Sequence, residues 1–311
     1  ETPGVLRKAG IQVALQSGFS TTPAKGDGRM IMLSKGADVN AADRTGRTPL
    51  YQAVDMHSLE WRFNRPAPRK AEKLYDSMAI VKMLLAKGAD VNAELNAGIM
   101  APSRAATGNR NLTKGSTPFL KAATTSDVEM MRLLLDWGAN AYQVNLINTN
   151  ALMMVAGLNW QPQGSIGPQD DAVEAAQLLL DLGLDINAVN DQGQTALHGA
   201  AARTEERDAN KLIQFLVDKG ANLYARMKVG VPAGRGGAAA PPPPPQNPGR
   251  AGPSAVGQTP LDVSKGGLDD VDAMGNPSTR PANHRTMDLL EELMKKYPAP
   301  PAPPAAEQPA Q

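Results

Sequence analysis

The chain has 311 residues, no cysteine and a formal net charge of +1, with 32 Lys and Arg residues against 31 Asp and Glu residues. The missing cysteines exclude disulfides, thiolate catalysis and cysteine-ligated zinc or iron–sulfur centres, and no run of 18 apolar residues could span a membrane. Aromatic residues make up only 4% of the chain, so the core must consist mainly of Leu, Ala, Val and Met, as suits thin stacked layers.

A Thr-Pro-Leu phrase recurs along the chain and predicts the start of a helix each time. The threonine hydroxyl can cap a helix N-terminus, and the fixed φ of proline suits the first helical turn. A degenerate copy of the phrase is Thr149-Asn150-Ala151-Leu152. We therefore expect inner helices to open near six threonines: Thr2, Thr48, Thr117, Thr149, Thr195 and Thr259.

A second, outer helix is predicted before each recurring glycine. The residues 3, 4 and 7 positions before these glycines are apolar and form one stripe at the helical period. They are Val81, Leu84 and Leu85; Met131, Leu134 and Leu135; Ala176, Leu179 and Leu180; and Ile213, Leu216 and Val217. Leu290, Leu293 and Met294 stand at the same spacing before Tyr297, which predicts a last outer helix over residues 287–296. Ser126 and Glu129 have the spacing of a capping box at the start of one outer helix.

The spacing of the phrases identifies their period. Gly36 precedes Thr48 by 12 positions and Thr117 precedes Gly138 by 21, which gives a period of 33. This period, with Thr-Pro-Leu-His-type openings and Gly-Ala-Asp-Val-Asn closings, resembles the ankyrin repeat. The resemblance implies an all-α solenoid of about six helix-turn-helix units over residues 1–297, with long loop insertions. Residues 298–311 form a Pro-rich tail that we expect to be disordered.

The connections between the predicted helices depart from the regular period. About 19 extra residues lie between Thr48 and Gly88, 17 between Gly88 and Thr117, and 27 between Gly220 and Thr259. A further 13 lie between Thr149 and Gly183. Long connections in a compact array are usually functional or disordered, so we expect the individuality of this protein to lie in them.

The first insertion, residues 58–75, combines aromatic and basic side chains in a way that suits an acidic or aromatic-rich partner. The candidate partner-binding residues are Trp61, Arg62, Phe63, Arg65, Arg69 and Lys70, with Arg104 and Arg110 in the second insertion. In the alternative interpretation, Trp61 and Phe63 cover adjacent helices and the cations are solvated. Segments 58–75, 93–116 and 221–258 carry net charges of +3, +2 and +4, so the rest of the chain is acidic and could steer an anionic partner onto them.

Residues with catalytic or metal-binding chemistry are few. None of the three histidines is paired at metal-ligand spacing, and no glycine-rich segment has the context of a phosphate loop, so we assign no catalytic, cofactor-binding or metal residue and expect no cofactor. His198 falls at the histidine position of the family phrase, where it is expected to brace neighbouring turns through hydrogen bonds.

The resemblance implies a noncatalytic protein–protein interaction scaffold that binds a macromolecular partner through its concave face and inserted loops. Two alternatives stay open: binding of an acidic polymer or anionic surface through residues 58–75, and a regulatory or targeting arm of a larger protein that extends before Glu1. A protein is the expected partner, an acidic one is a further expectation, and nucleic acid is not favoured. The degenerate, insertion-rich array resembles bacterial proteins that are often exported, which favours a secreted or periplasmic location.

Overall fold

The computed structural model describes residues 38–57, 77–97, 112–158, 167–228, 257–265, 267–271, 277–280 and 282–299. Within these ranges the chain forms ten α-helices, one short 3₁₀ turn and one two-stranded hairpin. No helix in the described part of the chain is long and apolar enough to cross a membrane.

The helices alternate between an inner and an outer row. The inner helices are α1 (Pro49–His57), α3 (Pro118–Ala123), α5 (Ala151–Ala156), α7 (Ala196–Ala201) and α9 (Pro260–Ser264). The outer helices are α2 (Ser77–Ala86), α4 (Val128–Asp136), α6 (Gln169–Asp181), α8 (Asn210–Asp218) and α10 (His284–Lys296). Each inner helix contacts the next one along the row, which confirms the predicted all-α solenoid.

An antiparallel hairpin between α9 and α10 is an addition that the sequence did not predict. Strand β1 (Gly267–Val271) pairs with strand β2 (Pro277–Arg280), and Gly267 lies opposite Arg280. The hairpin lies within the last inner-to-outer connection, so it leaves the stacking of the helices unchanged.

Four of the predicted threonines, Thr48, Thr117, Thr195 and Thr259, stand directly before an inner helix, and three of them cap it by a hydroxyl bond of the expected kind. The hydroxyls of Thr48, Thr117 and Thr259 accept hydrogen bonds from the backbone N–H groups three residues later, at 3.2–3.3 Å. In the degenerate phrase the cap is Asn150 and not Thr149, because the Asn150 Oδ1 accepts from the N–H of Met153 at 3.0 Å. Asn150 also lies 12 positions after Gly138, the regular spacing.

The predicted capping box at Ser126 is wrong. Helix α4 is capped by Asp127, whose Oδ1 accepts from the N–H of Met130 at 3.1 Å. Ser126 has a left-handed backbone with φ 54°, and its buried hydroxyl has no hydrogen-bond partner. The helix therefore begins one residue later than predicted, because the adjacent aspartate is an equally good cap.

The predicted apolar stripe forms the core. Of its members, only Leu135, Leu180 and Met294 are partly exposed, and these three pack against the buried set. The buried set is one cluster that extends from Leu50 on α1 to Leu293 on α10. Burial of such a side chain contributes about 1.5–3 kcal/mol, so each unit gains stability from its neighbours.

The predicted limits of the array remain predictions. The first unit, opened by Thr2 and closed by Gly36, lies outside the described residues, as does the tail from residue 300 onward. The division into an array over 1–297 and a tail over 298–311 therefore stays a proposal.

Candidate protein-binding surface

Between one unit and the next the chain makes a narrow hairpin, here called a finger, and five described fingers share one closure. In finger 1 the N–H of Asp43 donates to the carbonyl of Arg47, and the N–H of Gly46 donates back to the carbonyl of Asp43, both at 3.0 Å. The equivalent residues are Leu95, Gly115 and Ser116 in finger 2; Asn145, Asn148 and Thr149 in finger 3; Asn190, Gly193 and Gln194 in finger 4; and Met227, Gly257 and Gln258 in finger 5. The repeated bonds give every finger the same base.

Two of the predicted insertions lie between the first residue of a finger closure and the residue whose N–H donates back to it. Leu95 and Gly115 are 20 positions apart and Met227 and Gly257 are 30 apart, against 3 between Asp43 and Gly46. Fingers 2 and 5 therefore carry 17 and 27 additional residues at their tips, as the period predicted.

Backbone hydrogen bonds also join each finger to the next. The N–H of Asn96 donates to Thr45 at 2.9 Å, and the N–H of Leu146 donates to Lys114 at 2.8 Å. The series continues with Asp191 donating to Ile147 at 3.1 Å and Lys228 donating to Gln192 at 2.8 Å. We call this bonded strip the finger edge; it comprises residues 43–47, 95–97, 112–116, 145–149, 190–194, 227–228 and 257–258.

Asparagine side chains clip the units together behind the finger edge. The amide of Asn40 donates to the carbonyl of Gly88 at 3.1 Å, and its oxygen accepts from the N–H of Asp90 at 2.7 Å. Asn92 and Asn187 make the same two bonds to the units that follow them.

Tyrosine takes the place of asparagine at two unit boundaries. The Tyr142 hydroxyl donates to the carbonyl of Leu182, and the Tyr224 hydroxyl lies 3.0 Å from the carbonyl of Tyr297 and 3.3 Å from that of Met294. All five positions thus use a side chain to hold the next unit in register.

The inner helices offer little surface to a partner in the middle of the array. Every residue of α3, α5 and α7 is buried, including Lys121, whose ammonium group pairs with Asp55 at 3.0 Å. Exposed side chains are instead found on the finger edge, where Leu146 is 58% exposed. Four charged side chains are also exposed on the finger edge: Arg44, Lys114, Asp191 and Lys228.

The opposite side of the array is the helix-turn edge, where each inner helix ends (residues 55–57, 124–127, 157–158 and 202–209). His57 Nδ1 lies 2.5 Å from the carboxylate of Asp127. Gly199 allows close packing here, because a Cβ at this position would lie 2.7 Å from the backbone nitrogen of Leu158.

Arg203 is the most deeply buried cation at the helix-turn edge. Its Nε donates to the carbonyl of Ala156 at 3.1 Å, and its Nη2 donates to that of Val155 at 2.8 Å, so it caps the C-terminus of α5. Burial lowers the pKa of Arg203 to about 9, and nearby Asp208 opposes this shift. The side chain stays cationic at neutral pH and ties α7 to α5.

His198 has the bracing role that the resemblance implied. Its Nδ1 accepts from the N–H of Thr195 at 3.1 Å, which leaves Nε2–H to donate to the carbonyl of Gln258 in finger 5 at 3.2 Å. Burial lowers the pKa of His198 to about 4, so the imidazole is neutral at pH 7. The histidine is therefore a structural link and not an acid or base facing solvent.

All the sequence-predicted partner-binding residues lie outside the described residues: Trp61, Arg62, Phe63, Arg65, Arg69, Lys70, Arg104 and Arg110. Of the residues that flank the first group, His57 lies at the helix-turn edge and Ser77 begins α2, the outer helix that follows that edge. The residues that flank the second group, Ala97 and Leu112, lie at the finger edge. Helix α1 separates these attachment points by about 14 Å at 1.5 Å per residue. The two groups are thus attached at different edges of the array, and binding of an acidic polymer through residues 58–75 stays a prediction.

The sequence did not single out the exposed residues of the finger edge. Leu146 could not be recognised from its identity alone, because a leucine is most often a core residue. Its position directly after Asn145, the residue equivalent to Asp43 and Asn190 in other fingers, is the signal that would have placed it at a tip. Among the described residues, no group of three or more His, Asp or Glu side chains could hold a metal ion.

Comparisons with known proteins agree with this architecture. The family model "Ankyrin repeat" matches residues 45–95, and the model "Ankyrin repeats (many copies)" matches residues 169–213. The chain is 31% identical over 146 residues to an ankyrin repeat protein, L91, of Acanthamoeba polyphaga mimivirus, which is 47% of this chain and 20% of that protein. It is 31% identical over 139 residues to the E3 ubiquitin-protein ligase KEG of Arabidopsis thaliana, which is 45% of this chain and 6% of that protein.

The chain spans a fifth or less of the length of these two relatives, and the ligase name describes the Arabidopsis protein. The matched ranges contain the end of finger 1 with α1 and α2, and α6 through the start of α8. Ankyrin repeats imply protein partners and suggest a protein–protein interaction scaffold. Stacked helix pairs, one finger closure shared by the described units and these matches together show that the chain carries ankyrin repeats.

Proposed function

We propose that this ankyrin array is a noncatalytic scaffold that binds a protein partner through the finger side of its concave face and the insertions at fingers 2 and 5. The observation that carries the proposal is the finger edge itself. Its backbone is fixed by repeated hydrogen bonds, while the side chains of Arg44, Lys114, Leu146 and Lys228 at its tips are exposed. Asp191 is also exposed, and it accepts a hydrogen bond from the Asn148 amide at 2.6 Å.

Two physical arguments support the finger edge as the binding surface. A strip whose backbone is already bonded loses little conformational entropy on binding, so more of the contact energy contributes to affinity. Leu146 adds an apolar contact in the middle of the strip, with 58% of its surface available to a partner. The buried inner helices α3, α5 and α7 lack comparable contacts.

Site-specific photo-crosslinking tests the proposal. A benzophenone amino acid is placed at Leu146, and in a matched variant at Lys82, which is exposed on the outer helix α2. With extract of the native source, we expect a covalent adduct with a defined protein from position 146 and none from position 82. Adducts of equal yield at both positions, or only at position 82, would contradict a partner on the finger edge.

A further inference from the structure

The charges of the finger edge define the chemistry of its partner. Resting on the function proposed above, we infer that the finger edge binds an acidic, extended protein segment in which negative side chains flank one apolar side chain.

Three cations on the finger edge have no compensating charge. Arg44, Lys114 and Lys228 are exposed on fingers 1, 2 and 5, and none forms an ion pair in the described part of the structure. Other cations in the fingers are engaged, because Arg47 pairs with Asp43 at 2.7 Å and the Arg226 guanidinium donates to the carbonyl of Gly257 at 2.7 Å. The three uncompensated cations thus attract an anionic ligand.

The order of tips along the edge sets the expected pattern of that ligand. Backbone bonds place Leu146 next to Lys114 on one side and the finger of Asp191 on the other. The sequence of tips is therefore basic, basic, apolar, acidic, basic: Arg44, Lys114, Leu146, Asp191 and Lys228. A complementary segment has acidic residues toward both ends and an apolar residue between them.

The same pattern disfavours a nucleic acid or a uniformly anionic surface. Asp191 is exposed within the strip and repels phosphate groups, whereas Leu146 gains nothing from a phosphate backbone. Single-stranded nucleic acids also need aromatic rings for base stacking, and the described finger tips present none. A polypeptide can place acidic, apolar and basic side chains in turn, so it fits the row of tips better.

The charge of helix α6 favours binding of an acidic segment at the finger edge over binding on the outer surface. The helix carries four acidic residues and no basic residue: Asp170, Asp171, Glu174 and Asp181. Two of them are paired, Asp170 with Lys211 and Glu174 with Arg132, so Asp171 and Asp181 give this part of the outer surface its excess of negative charge. An acidic ligand is attracted less here than at the finger edge. An acidic segment is therefore steered to the fingers.

The length of the segment follows from the packing of the units. Neighbouring helices pack about 8–10 Å apart, so five fingers extend over about 40 Å. An extended chain rises about 3.3 Å per residue, so a segment of about 12 residues spans them.

The test begins with a display library of random 12-residue peptides selected on the purified full chain. Selected peptides are then synthesised with a fluorescent label, and their Kd is measured by polarisation at 50 and 200 mM NaCl. Three charge reversals on the finger edge, Arg44→Glu, Lys114→Glu and Lys228→Glu, are combined in one variant. The control combines Lys82→Glu, Lys87→Glu and Lys295→Glu, three exposed lysines of the outer surface.

We expect selected peptides rich in Asp and Glu around an apolar residue, with affinity that falls as salt is raised. The finger-edge variant should weaken binding by about tenfold or more and lose the salt effect, whereas the control should change Kd by less than about twofold. Circular dichroism of both variants checks that the fold is retained. Leu146→Asp should weaken the same peptides at both salt concentrations, because it removes the apolar contact and adds a charge of the same sign as theirs.

The outcomes separate this inference from the proposed function. Peptides that lose binding on Leu146→Asp but are not acidic would overturn the inference and leave the finger edge as the protein-binding surface. Peptides insensitive to every finger-edge substitution would overturn both. Tighter binding of a DNA oligonucleotide, or of vesicles containing 30% phosphatidylserine, that depends on the same three cations would also overturn the choice of an acidic protein segment.

Discussion

The finger edge and the helix-turn edge of this array are built in different ways. Every described finger is closed by the same two backbone bonds, whereas each helix turn is held by a contact of its own. Those contacts include the pair of His57 with Asp127 and the buried guanidinium of Arg203 against two carbonyls. The repeated bonds distribute stability evenly along the fingers, and the individual contacts concentrate it at a few side chains.

The largest effect is expected from breaking an individual contact at the helix-turn edge. Arg203→Met removes the donors to Val155 and Ala156 and leaves their carbonyls buried without partners. We expect a loss of roughly 3–5 kcal/mol in the free energy of unfolding. Urea denaturation followed by circular dichroism measures it.

The matched control is Arg132→Met. Arg132 is exposed and pairs with Glu174 at 3.3 Å, so its loss should cost less than about 1 kcal/mol. Equal effects of the two arginine substitutions would mean that the helix-turn edge does not concentrate stability at Arg203.

The next effect depends on pH and concerns His198, which joins α7 to finger 5. Its pKa is about 4 in the folded chain against 6.5 unfolded, so the unfolded state binds the proton more tightly. The stability that neutral His198 provides is present above pH 6.5 and is lost as the pH falls toward 4, by about 3 kcal/mol in total. Urea midpoints at pH 7, 5.5 and 4 for the native chain and His198→Gln check this.

The quantity to compare is the loss of stability on acidification in the native chain and in His198→Gln, because carboxylates elsewhere also titrate in this range. The native chain should lose more stability than His198→Gln as the solution is acidified. Parallel pH profiles would contradict the low pKa of the histidine.

A smaller effect is expected from crowding at the boundary between α5 and α7. In Gly199→Val the new Cβ would meet backbone atoms of Leu158 at 2.7–2.9 Å, and backbone cannot move aside as a flexible side chain can. We expect a loss of about 2 kcal/mol, measured by thermal and urea unfolding. Ala202→Val, at the end of the same helix, serves as the control, and a loss as large there would show that the close approach at Gly199 is not the cause.

The smallest effects are expected at the repeated clips behind the fingers. Asn92→Ala removes a donor to Gly138 and an acceptor for Asn140, both in an exposed setting, and should cost about 1 kcal/mol. Tyr142→Phe removes a single hydroxyl bond and should cost about 0.5 kcal/mol. If Tyr142→Phe cost more than Asn92→Ala in urea unfolding, the two kinds of clip would not be ranked by their number of hydrogen bonds.

Periodicity predicted the repeated parts of the molecule well. The apolar stripe, the threonine caps and the lengths of the two finger insertions all follow from a fixed spacing between units. Errors of one residue occurred at Ser126 and Thr149, where a second capping residue stands next to the first and only hydrogen-bond geometry decides between them.

Features formed once could not be predicted in this way. Arg203 is buried because the C-terminus of a neighbouring helix meets it, a juxtaposition that appears only after the units are stacked. Leu146 is the reverse case, an apolar residue at an exposed tip. The hairpin of β1 and β2 has few apolar residues in alternation, so its sequence lacked the usual signal of a strand.

The closure shared by the fingers has an evolutionary consequence. The bonds at Leu95, Gly115 and Ser116 match those of finger 1, whose closing residues are only three positions apart. The segment between Leu95 and Gly115 can therefore be replaced without changing the closure of the finger. Changes in its length or composition leave the helical frame in register. New binding preferences can therefore arise by replacing one surface segment, without a compensating mutation in the core.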